Sequence, residues 1–264
     1  MTQTVLSQVE NGIATVTLNR PTKKNAMSFD MMHELGETAK SLAGTKGLRA
    51  VILTGSDHCF CAGIDLQSLM SMAPQMDKIR AEILTPPKGE NANRFQAPVT
   101  IWASLNAPVI AALEGVAYGA GAQLALGADF RIASPDARFS IMEAKWGLIP
   151  DMGLSQSLPK LMRADAAMEL IMTGRVLDAD EALNLGLISR IADTPLAAAL
   201  EFAETLKTKS PDALAAAKKL VNGTWARGEA GLKLEAELQA AIIGRPNQME
   251  MVMAAIGKRE PTFT

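Results

Sequence analysis

Three short runs in this 264-residue chain limit its fold more than any other feature. Residues 49–54 (RAVILT), Val109–Leu113 (VIAAL) and Phe130–Ala133 (FRIA) are almost unbroken apolar stretches, the first stopping at Gly55. A strand with one wet face alternates polar and apolar residues. A strand apolar throughout must be covered on both faces, as parallel strands between helical layers are. Helical texture fills the intervals. Residues 28–42 carry Met31, Met32, Leu35, Ala39 and Leu42 at helical spacing, behind a Ser28 cap and before Gly44. Weaker helical stretches lie near 66–72 and 91–105. Buried strands alternating with helices predict an α/β core with parallel pairing. In front of it, residues 7–18 read as a hairpin turning at Asn11-Gly12.

After about residue 158 the texture becomes helical. Stretches 165–173, 179–185, 196–207, 212–221, 231–242 and 248–256 all read as helices, with Asp178 and Ser210-Pro211-Asp212 as start signals and 187–191 as a last strand. The chain therefore divides into a strand-rich core over 1–195 and a helical C-terminal region over 196–264, with no linker between. The helices over 231–242 and 248–256 are more apolar than a solvated tail requires, which predicts packing on neighbouring copies.

One stretch, residues 107–128 (APVIAALEGVAYGAGAQLALGA), is long enough on paper to cross a bilayer. Pro108, Glu114, Gln123 and four glycines interrupt it, so it is expected to be core rather than a span. The N-terminus has no basic segment followed by an apolar block, so no secretory signal is expected. Lys and Arg number 26 against 28 Asp and Glu, leaving nothing to collect phosphate backbones; nucleic acid is not an expected partner. His33, His58, Cys59 and Cys61 are the whole complement of their types, too few for a multi-ligand zinc site. Cys-x-Cys spacing also disfavours a disulfide and points to a reducing, cytoplasmic setting.

Three places could carry chemistry. In residues 55–66 (GSDHCFCAGIDL) a strand ends and a helix begins at Asp65-Leu66, leaving N–H groups free to meet an anion or a polarised carbonyl; an ordinary strand-to-helix turn looks the same. Residues 114–126 (EGVAYGAGAQLAL) repeat the arrangement. There Gly119 and Gly121 permit close backbone approach, or serve tight helix–strand packing; the third glycine of a dinucleotide fingerprint is missing. In residues 139–158, Glu143 and Asp151 sit among Ile141, Met142, Leu148, Ile149 and Met152, surroundings that favour the protonated carboxyl. The plainer readings are a surface Glu143 beside Lys145 and an Asp151 that caps a helix at Gly153 or Leu154. Residues 153–157 approach a nucleophile elbow but lack its second glycine, and the sequence sets neither His33 nor His58 beside a plausible acid, so Ser-His-Asp hydrolysis is not expected.

Taken in order, these stretches resemble the crotonase superfamily of acyl-coenzyme A enzymes. The residues that carry the likeness are Asn19-Arg20-Pro21 with Asn25-Ala26, Phe60 to Leu66, Pro108 to Ala112 with Gly115, and Gly119-Ala120-Gly121. Gly147 to Asp151 with Gly153 follow, then Thr173-Gly174-Arg175, Ala182 with Gly186-Leu187, and Lys258-Arg259 with Phe263. The segment from Gly119 to Gly127 and the ending through Gly244-Arg245 look like the ring-1,2-epoxyphenylacetyl-CoA isomerase branch of phenylacetate degradation.

The resemblance implies a spiral of β-β-α turns and a homotrimer or dimer of trimers. The substrate would be an acyl-CoA thioester with no cofactor beyond it, since coenzyme A is part of that substrate, and no metal. It implies that the thioester oxygen is held by the N–H groups of Ile64 and Ala120. Lys23, Lys24, Ala62 and Asp65 fall where relatives contact coenzyme A, with Lys258 reaching a phosphate from a neighbouring subunit; Ala255 replaces an aromatic found at the adenine in many relatives. Hydratases of the superfamily carry glutamates at the positions of Gln123 and Glu143, and isomerases carry their acid–base carboxylate at that of Asp151. Gln123 cannot exchange a proton, so the implied activity is a double-bond isomerase with Asp151 as shuttle. A 2-enoyl-CoA hydratase using Glu143 and a non-catalytic acyl-CoA binder are the alternatives.

Overall fold

Asn11 and Gly12 adopt positive φ of 50° and 81°, the backbone of a tight two-residue hairpin, and join β1 (Val5–Glu10) to β2 (Ile13–Leu18). The computed structural model describes residues 3–71, 73–88, 90–225 and 246–264. From β2 onward every pairing in the main sheet is parallel. It runs to β3 (Ala50–Gly55), β4 (Val109–Leu113), β6 (Phe130–Ala133) and β8 (Arg190–Ile191), in the order β1-β2-β3-β4-β6-β8.

The apolar runs are strands covered on both faces, and their two-residue period divides the core. Val51, Leu53, Val109, Ala111 and Leu113 face one cluster with Met31, Leu35, Trp102 and Leu124. Ala50, Ile52, Ile110, Ala112 and Ile132 face another with Ala199 and Ala203. The first face is covered by α1 (Phe29–Ala43), whose Ser28 hydroxyl accepts the Met31 N–H. The second is covered by α9 (Pro195–Lys207), which sets Phe202 edge-on to Phe130 at 4.9 Å.

Between β4 and β6 the 107–128 stretch is two strands and a helix: β4, β5 (Val116–Tyr118) and α5 (Ala120–Leu126). Among the described residues no helix is long and apolar enough to cross a membrane. β5 pairs in parallel with β7 (Arg138–Ser140), a two-stranded sheet not anticipated from the sequence. Also unanticipated is α3 (Met76–Leu84), which follows α2 (Leu66–Ser71). The helix expected over 91–105 is α4 (Ala97–Ser104) and starts late. The Asn93 carboxamide takes the N–H groups of Phe95 and Gln96, a local turn that competes with helix.

The remaining helices are α6 (Leu154–Ser157), α7 (Ala164–Thr173), α8 (Ala179–Asn184), α10 (Pro211–Thr224) and α11 (Pro246–Gly257). Asp178 and Ser210 accept N–H groups at the starts of α8 and α10. The helix expected over 231–242 lies outside the described residues.

Candidate active site

The loop after β3 is held by residues far from it in sequence. Asn25 is fully buried. It donates to the carbonyls of Ser56 and Cys59 at 2.9 and 2.6 Å, while its oxygen accepts the Arg20 N–H and the Ser56 hydroxyl. Arg20 reaches Asp65 at 2.9 Å, and the other oxygen of Asp65 accepts the Ser68 N–H at the start of α2. Asp65 thus has its carboxylate engaged in shaping the loop. Sequence reading placed Arg20 and Asn25 in a motif without a role; their role here is to set the path of residues 56–65.

A short backbone zipper then fixes this loop against β5. Phe60 N–H donates to Glu114, Cys61 N–H to Val116, and Tyr118 N–H to Cys61, at 2.8–3.0 Å. Gly121 permits the approach, since a Cβ there would stand 2.5 Å from the Cys61 carbonyl oxygen and 2.6 Å from its Cβ. Gly119 turns the chain into α5 with φ 49°. Two amides result, those of Ile64 and Ala120, without a hydrogen-bond partner among the described residues, and both residues line a cavity of about 540 Å³. Free N–H groups at a loop and a helix start can hold a developing oxyanion.

Two carboxyl groups line the same cavity. Glu143, in the 3-10 turn Glu143–Trp146, is only 9% exposed, so it is not the surface residue its neighbour Lys145 suggested. Its Oε1 accepts from Gln123 Nε2 at 2.7 Å, and its Oε2 is buried without a partner. Gln123, itself 1% exposed, uses its Oε1 to accept the Met152 N–H at 2.8 Å. Asp151 faces the open side of the cavity. It does not cap α6, whose N-cap position is Gly153 at φ 86° with no side-chain cap.

Burial lifts both carboxyls above the usual carboxylate range. For Glu143 the Asp151 charge adds to the lift and the Gln123 amide opposes it.

The rest of the lining is apolar. Phe29 and Met32 of α1, Ile79 and Ile83 of α3, Phe95, Met142, Trp146, Leu148 and Met152 enclose it. Met142, Leu148 and Met152 are expected there from the sequence; Phe29, Ile79, Ile83 and Phe95 are not, because a pocket wall and a core have the same composition. Ile149, expected in that wall, is 75% exposed and lies outside it. Lys23, Ala62 and Asp65 reach the cavity edge. Lys24 is exposed beside it, its carbonyl accepting the Ala62 N–H, and Lys258, exposed beyond α11, is outside the lining in its own chain.

The enoyl-CoA hydratase/isomerase profile matches residues 8–264. The chain belongs to this family. Among hydratase/isomerase relatives it is 35% identical to the 1,2-epoxyphenylacetyl-CoA isomerase of Escherichia coli K12, an alignment covering 100% of this chain and 99% of that one. It is 36% identical to a probable enoyl-CoA hydratase of Mycobacterium leprae, covering 99% and 98%. The crystal structure of enoyl-CoA hydratase from Bacillus anthracis superposes with a TM-score of 0.89 at 30% identity, covering 99% of each chain. The α/β spiral is therefore the crotonase fold of this family. Hydratases and an isomerase match at the same level of identity, so membership of the family leaves both reactions open.

Proposed function

We propose that this family member binds an acyl-CoA thioester, stabilises its enolate between the Ile64 and Ala120 amides, and shifts a C=C bond with Asp151 as proton shuttle. The observation that carries this reading is Gln123. It cannot exchange a proton and both ends of its amide are engaged, so a hydration site built on two carboxylates is incomplete. Asp151 supplies what isomerisation needs. Its carboxylate removes a proton from C2 of a 3-enoyl thioester, and negative charge moves to the oxygen between the two amides. The carboxylic acid then returns the proton to C4, leaving a 2-enoyl product with atoms and charge conserved. Partial burial beside Leu148 and Met152 raises the Asp151 carboxyl, which favours its acid form.

In this reading Lys23 and Lys24 meet the phosphates of coenzyme A, which arrives with the substrate, Ala62 lies along its path, and Lys258 serves a neighbouring subunit. Glu143, with its unpartnered Oε2, favours a second reading in which it activates water for hydration. An acyl-CoA panel assayed for isomerisation and hydration in parallel separates the two. Calorimetry with acetoacetyl-CoA tests the common ground: no heat at ~1 mM ligand, the upper end of ordinary substrate constants, rejects both.

A further inference from the structure

Gln123 is the one polar side chain of the cavity whose groups are committed on both sides to other site residues. Met152 N–H can only donate, so the oxygen of the Gln123 carboxamide must face it, and Nε2 must face Glu143. That bears on the next link. Glu143 Oε1 receives an N–H, which favours a proton on Oε2, the oxygen with no protein partner. The same amide ties α5 to the backbone beside Asp151, spanning 29 positions of sequence. One side chain thereby reaches both carboxyl groups of the site.

We propose that Gln123 is a positioning residue: it fixes the Glu143 carboxyl through Oε1 and anchors the Asp151–Met152 backbone against α5. The proposal rests on the thioester reading above and deepens it, because one amide then sets the placing of both carboxyl groups that the reading uses. The other charged groups on the cavity lining are Asp65, paired with Arg20, and Lys23 at its edge; Lys145 stands on the same turn as Glu143.

The test compares Gln123→Met and Gln123→Glu with the wild-type chain, reading kcat, KM and the pH dependence of double-bond isomerisation on an enoyl-CoA the wild type converts. Met fills similar space and makes neither bond. Expected is a fall in kcat of tenfold to about a hundredfold, the usual consequence of misplaced reacting groups, with KM near wild type. The pH limb set by Glu143 should move upward, because the amide that favours its ionised form is gone.

Gln123→Glu keeps an acceptor for Met152 and covers the case in which Met at 123 fails to fold. It places a second carboxyl against Glu143 and should move the same limb upward. Wild-type kcat and an unmoved limb in whichever variant folds overturn the proposal, and so does a loss of stability with kinetics unchanged. A wild-type chain that isomerises no thioester rejects the parent reading instead.

Discussion

Glu143 and Asp151 are carboxyl groups kept where the proton is favoured, and each should report that in a different measurement. Asp151→Asn should lose 10²–10⁴-fold in isomerase turnover, the usual worth of a positioned acid–base group, while Glu143→Gln loses less. Near-full isomerisation by Asp151→Asn, with none by Glu143→Gln, would transfer the chemistry to Glu143 and make hydration the better reading. Glu143→Gln also has a stability signature. Its folded pKa is raised above 4.5, so the fold holds its full stability from this group below that pH and loses it as pH rises through the folded value. The glutamine variant should thus melt higher than wild type near pH 8 and no higher near pH 4, followed by thermal denaturation. Both carboxyls were legible in the sequence through Ile141, Met142 and Met152 around them. The engagement of Gln123 was not, because its partners lie 20 and 29 positions away and depend on how α5 meets the later loop.

The elements were legible where their pattern was strong: the nine residues of α3 were missed and the four of β6 were not. Fifteen residues of α1 repeat their apolar face several times, and six of β3 are enough to show burial on both faces. β5 and β7 have three residues each, less than two periods of any pattern, so the small sheet that carries the loop-to-helix zipper left no trace. The local device that could be seen, Gly119-Ala120-Gly121, allowed packing or ligand approach, and the structure uses Gly121 for packing. A Cβ at Gly121 would overlap Cys61, while Gly119 turns the Ala120 amide toward the cavity. Gly121→Ala should destabilise the chain by roughly 1–3 kcal/mol, as overpacking does, and should lower turnover further by parting the two amides. Urea denaturation and steady-state kinetics on the same sample check it; unchanged values of both would remove Gly121 from this role.

Across the whole molecule, one buried ion pair fastens α10 to the sheet. Lys218 reaches Asp129 at 2.7 Å and also donates to the carbonyls of Trp102 and Ala107, while Asp129 accepts the Val109 N–H. Burial shifts both groups toward their neutral forms, lowering Lys218 and raising Asp129, so the pair holds position more than it adds stability. Lys218→Met should cost about 3 kcal/mol by stranding a buried carboxylate, and Asp129→Asn added to it should recover part of that loss in the same denaturation experiment. Exposed Met168 and Met172 on α7, with Met253 on α11, leave apolar surface that the proposed assembly would cover. Light scattering should give three or six times the 28.0 kDa chain mass, and a monomer would refute it. The two amides at the cavity have a consequence for descent. They belong to the main chain, so no point substitution can delete an N–H without inserting proline. On the proposed reading, editing at 123, 143 or 151 would change which reaction a descendant runs while the two amides pass on intact.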